Sequence, residues 1–243
     1  MTHSASSFKF WAVVPAAGRG TRMRADGPPK QYLRLGAKTV LEWSVQALLD
    51  RTDCAGVVVA LSQGDADWAH LDLARDPRVT TTLGGAQRNE SVGAGLEALK
   101  SHASDRDWVL VHDAARPCLS AGELQDLIDT LRDDEVGGLL AAPLVDTLKR
   151  ADADGRVAQT VNRDGLWRAL TPQMFRYGLL RRALRHSAQS QVTVTDEAQA
   201  IELLGFKPRL VPGKAENIKI TLAEDLVRAE RILAARYFGN ETL

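Results

Sequence analysis

A chain of 243 residues, 44% apolar and 26% charged, is long enough for one α/β domain with a sizeable core; a chain of this length buries about 70–75% of its extended surface. Its 31 basic and 31 acidic side chains cancel, which excludes a global field for gathering nucleic acid and leaves room only for a local basic cluster suited to a small anion. Cys54 and Cys118 fit no CxxC or zinc spacing, the first ten residues lack a secretory apolar run, and no stretch approaches the ~20 apolar residues of a membrane span, so a soluble, cytoplasmic, reduced chain without a membrane partner is expected.

In chain order, residues 1–9 are short, Ser-rich and expected to form a disordered tail. Ala12–Pro15 reads as a strand, Val40–Leu49 as a helix, Val57–Leu61 and Val79–Leu83 as strands, and Glu90–Leu99 as a helix. Then come a strand at Trp108–His112, a helix at Glu123–Leu131, strands at Leu139–Pro143 and Arg209–Val211, and a final helix at Leu222–Arg236. Strands regularly separated by helices predict a Rossmann-like α/β fold: one mainly parallel, twisted sheet with helices on both faces and ligands beyond the carboxyl ends of its strands. No repeat, low-complexity tract or composition break divides 1–243, so a single domain is expected.

Residues 146–167, DTLKRADADGRVAQTVNRDGLW, depart from this pattern. Asp154-Gly155 is a hairpin-turn signal between two short strands, and the pair carries too few apolar residues to stand alone in water. This protruding β-hairpin arm either packs on its own sheet or reaches a second subunit.

The first strand runs into AVVPAAGRGTRMRADGPPKQY. A dinucleotide fingerprint would need a small third residue where Met23 follows Gly18 and Gly20, and the GxxxxGK[ST] phosphate loop is missing. What remains is Pro15, the small Ala16 and Ala17, two glycines that let backbone N–H groups approach an anion, and the cations Arg22 and Lys30. Singly, such cations are ordinary solvated side chains. Clustered after the first strand, they point to a phosphate site.

Other constellations fall at strand ends. Asp113 and Arg116 follow the strand ending at His112, and Gly84, Gly85, Arg88 and Ser91 make a backbone-rich turn into a helix. Thr195 precedes Asp196 and Glu197 at a helix start, a natural N-cap, and Lys219 lies in a short β-like run. Thr147 and Arg163 lie in the arm, where polar residues need no function. The five histidines show no metal spacing, and His112 is assigned no chemistry.

PAAGRGTRM, PPKQY, GGAQRNESVGAGL, VLVHDAARP, DTLKR, NRDGLWRALTPQMF, VTDEA and ENIKIT together resemble, in order and over about residues 11–236, the nucleotidyltransferases that activate phosphorylated small molecules. More closely, they are similar to the methylerythritol phosphate cytidylyltransferase family of the non-mevalonate isoprenoid pathway. The resemblance implies a nucleotidyltransferase-type fold and transfer of CMP from CTP to 2-C-methyl-D-erythritol 4-phosphate. It assigns catalysis to Arg22, Lys30 and Lys219, and CTP binding to Pro15, Ala16, Ala17, Gly18, Gly20, Gly84, Gly85 and Ser91. Acceptor binding falls to Asp113, Arg116 and Thr195, joined by Thr147 and Arg163 from the partner subunit of a homodimer built through the arm. Mg²⁺ is expected to be held mainly by the CTP phosphates, with no metal ligand directly from the protein. Ala86 stands where relatives often carry an acid and Glu216 where they carry aspartate, so neither joins the expected contacts. A ribitol 5-phosphate cytidylyltransferase shares the loop and fold, but PAAG and HDAARP favour the methylerythritol phosphate family; an idle nucleotide-binding module is disfavoured by Arg22, Lys30, Asp113 and Lys219. A phosphate monoester has a second pKa near 6, so the nucleophile is already ionised at neutral pH and needs no general base.

Overall fold

Along Phe10–Pro15 (β1) side chains alternate between faces, Ala12 and Val14 on one side of a sheet and Val13 on the other, all three fully buried. That alternation on a strand buried on both faces requires helices above and below. The computed structural model, which describes residues 8–18 and 28–237, supplies them. The chain continues through β2 (Arg34–Leu35), β3 (Lys38–Thr39), α1 (Val40–Leu49), β4 (Cys54–Leu61), β5 (Val79–Leu83), α2 (Arg88–Ala98), β6 (Trp108–Val111), α3 (Ala121–Leu131) and β7 (Gly137–Pro143). The arm is β8 (Leu148–Ala151) and β9 (Val157–Val161), followed by β10 (Trp167–Arg176), α4 (Tyr177–Gln189), α5 (Glu197–Leu203), β11 (Arg209–Pro212) and α6 (Ala223–Tyr237).

Among the described residues, the main sheet has seven strands in the order β11-β7-β10-β6-β1-β4-β5, all parallel except β10, which runs antiparallel to both neighbours. One face is covered by α1 and α3, whose Leu41, Val45, Leu48, Leu124, Leu127 and Leu131 meet Ala12, Val14, Val57 and Leu110. The other is covered by α2, α4 and α5 through Val92, Leu96, Leu180 and Ile201, against Val13, Val58 and Val109. A smaller cluster packs α6 on Leu35, Val40, Ile218 and Ile220. Helices α1 and α3 start on reciprocal caps, Thr39 with Glu42 and Ser120 with Glu123.

The expected strands and helices form, with ends shifted by a few residues, and the α/β class holds. β10, which the sequence reading did not mark as an element, is the antiparallel strand within the mainly parallel sheet that was expected. Pro172 argues against a central strand there, but β10 loses its register with β7 between Ala169 and Gln173, so the missing N–H falls in an irregularity rather than in the ladder. Helix α4 follows β10 without a breaking residue and was not marked by any turn signal. Residues 1–7 of the expected tail lie outside the described residues, while Phe8 packs against the core. Cys54 and Cys118 are buried and form no disulfide.

Among the described residues, the arm strands pair only with each other, turning at Asp152–Arg156 with Gly155 at φ +76°, a conformation that Gly adopts without steric cost. Residues 149–160 are exposed throughout, and Val145 and Val157 are 73% and 65% exposed. Packing of the arm on its own sheet, one of the two options left by the sequence, is not what the fold shows. Trp167, the last residue of the expected arm, belongs to β10.

Candidate active site

From β1 the chain goes outward to β4 and β5, then returns to β6 on the other side of β1, so the strand order reverses between β1 and β6. The loops leaving those two strands diverge and open a crevice at their carboxyl ends. Pro15, Ala16, Ala17, Gly18, Lys30, Gly85, Ala86, Arg88, Ser91, Asp113 and Lys219 line it.

The mouth is made by small residues for a steric reason. A Cβ on Gly84 would lie 2.6 Å from the Ala17 Cβ and 2.8 Å from the Ser91 Oγ, so the turn after β5 closes against the loop after β1 only with glycine there. Ser91, buried at the start of α2, accepts from the Gly85 N–H at 3.1 Å and donates to the Gln87 carbonyl at 3.1 Å. On the opposite wall, the buried Gln31 donates to the Ala16 carbonyl at 2.9 Å and Tyr32 Oη donates to Asp65 at 2.8 Å. These hold Lys30, whose Nζ donates to the Ile220 carbonyl at 2.9 Å.

Asp113 is the charged centre. Arg88 Nε contacts its Oδ1 at 2.9 Å, while Lys219 Nζ at 2.9 Å and Arg116 Nε at 3.4 Å contact Oδ2. Burial alone would raise the Asp113 carboxyl, but Arg88, Lys219 and Arg116 outweigh it and hold it well below the usual carboxylate range. The far side of Arg88 forks onto Glu197, Nη1 to Oε1 at 2.6 Å and Nη2 to Oε2 at 3.1 Å. Burial pushes the Glu197 carboxyl up, and the Arg88 pair restrains that rise.

Behind Asp113 a neutral hydrogen-bond chain sets the loop. Thr171 Oγ1 accepts from the Asp113 N–H at 3.1 Å and lies 2.9 Å from His112 Nδ1, while His112 Nε2 lies 3.1 Å from the Arg116 carbonyl. A carbonyl can only accept, so Nε2 carries the proton, and because burial disfavours the charged ring, Nδ1 of the neutral ring accepts from Thr171. Burial pushes His112 down to about 4 from its ordinary 6.5. The folded state therefore binds fewer protons than the unfolded one between those values, and stability falls as pH drops from 6.5 through 4 by about 3 kcal/mol. Urea denaturation across that range should show the slope, and a His112→Asn variant should flatten it; an unchanged slope in the variant would refute the assignment.

The segment after β11 is pinned to the same loop. Arg116 Nη1 donates to the Asn217 carbonyl at 2.7 Å, the Ile220 N–H donates to Ala115 O at 2.8 Å, and Asn217 Nδ2 donates to Thr171 O at 2.9 Å. The β-like run expected around Lys219 is not a strand: it makes this one backbone bond to Ala115 and otherwise follows the loop.

Of the sequence-predicted site residues, the fold gathers Pro15, Ala16, Ala17, Gly18, Lys30, Gly85, Ser91, Asp113 and Lys219 on one crevice, with Gly84 and Arg116 directly behind it. Gly20 and Arg22 lie outside the described residues. Thr195 is exposed, bonded to Gln199 Oε1, and the cap of α5 is Asp196 instead, whose Oδ1 accepts from the Gln199 N–H. Asp196, one residue nearer the helix, holds that duty in place of Thr195. Thr147 and Arg163 are exposed at the base of the arm, where Arg163 donates to the Val145 carbonyl, and neither lines the crevice. Glu216 turns toward α6 and faces Arg236. Arg88 had no assigned role and Glu197 only a helix-dipole role; their pairing joins residues 109 positions apart, which no local spacing signals.

Over residues 10–235 the chain matches the family model described as 2-C-methyl-D-erythritol 4-phosphate cytidylyltransferase. It is 56% identical over 221 residues to the protein of that name from Ectopseudomonas mendocina, covering 90% of this chain and 94% of the relative, and 51% identical over 223 residues to that from Pseudomonas aeruginosa, covering 91% and 95%. Among solved structures, a 4-diphosphocytidyl-2C-methyl-D-erythritol synthase superimposes with TM-score 0.81 at 38% identity, covering 93% of this chain and 99% of that one. The Francisella tularensis 2-C-methyl-D-erythritol 4-phosphate cytidylyltransferase does so with TM-score 0.79 at 31% identity, covering 92% and 99%.

Proposed function

The chain belongs to the 2-C-methyl-D-erythritol 4-phosphate cytidylyltransferase family, and from that premise we propose how its crevice performs the reaction. The enzyme transfers CMP from CTP to 2-C-methyl-D-erythritol 4-phosphate, releasing pyrophosphate and forming the cytidine diphosphate product of the isoprenoid pathway. The acceptor phosphate, ionised at neutral pH, attacks the α-phosphorus in line, so the protein's task is alignment and charge neutralisation rather than proton abstraction.

In this reading the backbone of Pro15–Gly18 and Gly20 wraps the triphosphate, and the turn Gly84–Gly85 with Ser91 receives the cytosine. Arg22, Lys30 and Lys219 neutralise charge at the α-phosphate and the departing pyrophosphate. Asp113 accepts the acceptor's hydroxyls; Arg116 and Thr195, with Thr147 and Arg163 of a second copy, hold its phosphate. The observation that carries the proposal is the convergence of Lys30, Lys219 and Arg116 with Asp113 beside a mouth of small residues at the switch point between β1 and β6.

Mg²⁺ fits this crevice as a companion of the nucleotide. Among the described residues no group of three or more His, Cys, Asp or Glu is arranged to hold a metal, and Asp113 is already shared by three cations. Triphosphate oxygens would hold the ion, which supplies further neutralisation of the leaving group when bound. The exposed arm, with apolar Val145 and Val157 facing outward, supports a homodimer in which each arm walls the neighbour's crevice. No helix among the described residues is long and apolar enough to cross a membrane, and we place the enzyme in the cytoplasm.

Pyrophosphate release measured with CTP, ATP, GTP and UTP against methylerythritol 4-phosphate and ribitol 5-phosphate tests the substrate pair. We expect kcat/KM for CTP with methylerythritol 4-phosphate to exceed every other combination by about 10² or more. A higher kcat/KM with ribitol 5-phosphate would overturn the acceptor assignment.

A further inference from the structure

Among the described residues, three cations meet Asp113, but they differ in what else they do. Lys219 and Arg116 are the cations that the proposed mechanism turns toward phosphate. Arg88 instead spends Nε on Asp113 and Nη1 and Nη2 on Glu197, all three donors directed at protein carboxylates. Its guanidinium side chain is 25% exposed and that of Glu197 only 1%, so the fork is shielded from competing water. Arg88 is the first residue of α2 and Glu197 the first of α5. A cation at a helix N-terminus opposes the helix dipole, and the carboxylates opposite are what make that position tolerable. The pair ties the turn after β5 to the start of α5, and Arg88 bridges from Glu197 to Asp113 just past the end of β6.

We infer that Arg88, held by Glu197, is a positioning residue that fixes the Asp113 carboxylate, so that Oδ2 still faces the acceptor when Lys219 is drawn to phosphate. The inference rests on the reading of Asp113 as the acceptor-hydroxyl group. Its chemistry requires a fork: Nε binds Oδ1 laterally while two parallel N–H groups grip Glu197, and a lysine ammonium cannot span both carboxylates with one fixed geometry. Asp113 Oδ1 is thereby immobilised and Oδ2 is left to the groups that change partner during turnover.

Steady-state kinetics of Arg88→Lys, Glu197→Gln, Asp113→Asn and the double variant Arg88→Lys/Asp113→Asn, all on the full chain, test this. Arg88→Lys should raise the acceptor KM about tenfold while changing the CTP KM less than about twofold, and Glu197→Gln should move it in the same direction by about threefold. The double variant should be no worse than Asp113→Asn alone, because Arg88 acts through that carboxylate. Additive losses, or equal shifts in both KM values, would show a merely structural role and overturn the inference. If Arg88→Lys does not fold, the near-isosteric Glu197→Gln decides by the same split. Asp113→Asn impaired with Arg88→Lys and Glu197→Gln normal removes the Arg88 role alone; Asp113→Asn with an unchanged acceptor KM removes the reading of Asp113 and the inference with it.

Discussion

Lys30→Ala is expected to lower kcat by about 10²–10³ while changing the CTP KM less than about threefold. The size follows from where charge builds. In the proposed mechanism the ground-state triphosphate would be shared among backbone donors, a metal ion and several cations, whereas in an in-line transition state negative charge shifts toward the bridging oxygen and the leaving pyrophosphate. A pre-placed ammonium there costs no reorganisation at the moment of reaction. Lys30 is pre-placed by its neighbours: Gln31 and Tyr32 are tied to Ala16 and Asp65, and Nζ is seated on the Ile220 carbonyl. For the same reason the fold should tolerate the truncation, with a thermal midpoint close to that of the parent. Lys100→Ala is the control, an exposed lysine facing Glu97 one helical turn away, and it should leave turnover unchanged. A loss below about fivefold for Lys30→Ala would place the catalytic charge elsewhere.

Mixing two inactive variants should restore activity. If Arg163 serves the neighbouring crevice, a Lys30→Ala chain and an Arg163→Ala chain each lack one group of every site in their homodimers. In the mixed dimer one crevice has an intact Lys30 facing an intact partner Arg163, and the other lacks both. Random exchange then makes about a quarter of all sites complete, so activity should climb from near the background to about a quarter of the parent's. Among the described residues, Arg163 at the arm's base donates to the Val145 carbonyl, is exposed to solvent and does not line the crevice of its own chain. No recovery, with subunit exchange verified by mass, would mean that the arm is structural or serves its own subunit.

Much of the site was legible because its signals are local. Small residues after β1, a Gly-Gly turn into α2, and an acid with an arginine just past β6 each announce backbone approach or charge at a strand end, and parallel α/β sheets put strand ends together. The hairpin was legible from Asp154-Gly155 and the polar stretch around it. Thr195 shows where local reasoning errs: two adjacent residues could cap α5, and the choice of Asp196 depends on where Gln173 Nε2 meets its other carboxylate oxygen, a contact from β10. His112 likewise looked inert in sequence; the Arg116 carbonyl beside Nε2 sets its tautomer locally, but the partner of Nδ1, Thr171, returns from 59 positions away on β10.

The sequence by itself determined the periodic elements, the α/β class, the small-residue mouth and the family, since each depends on residues within a few positions or on motifs kept in order. Only the tertiary structure decided that β10 enters antiparallel between β6 and β7, that the arm leaves the sheet, and that Arg88, Glu197, Arg116 and Lys219 converge on Asp113. The physical reason is one of distance along the chain. Helix and strand patterns are settled by neighbours, but a buried carboxylate is held ionised by whichever cations the strand order brings within about 3 Å, and strand order is a property of the whole sheet.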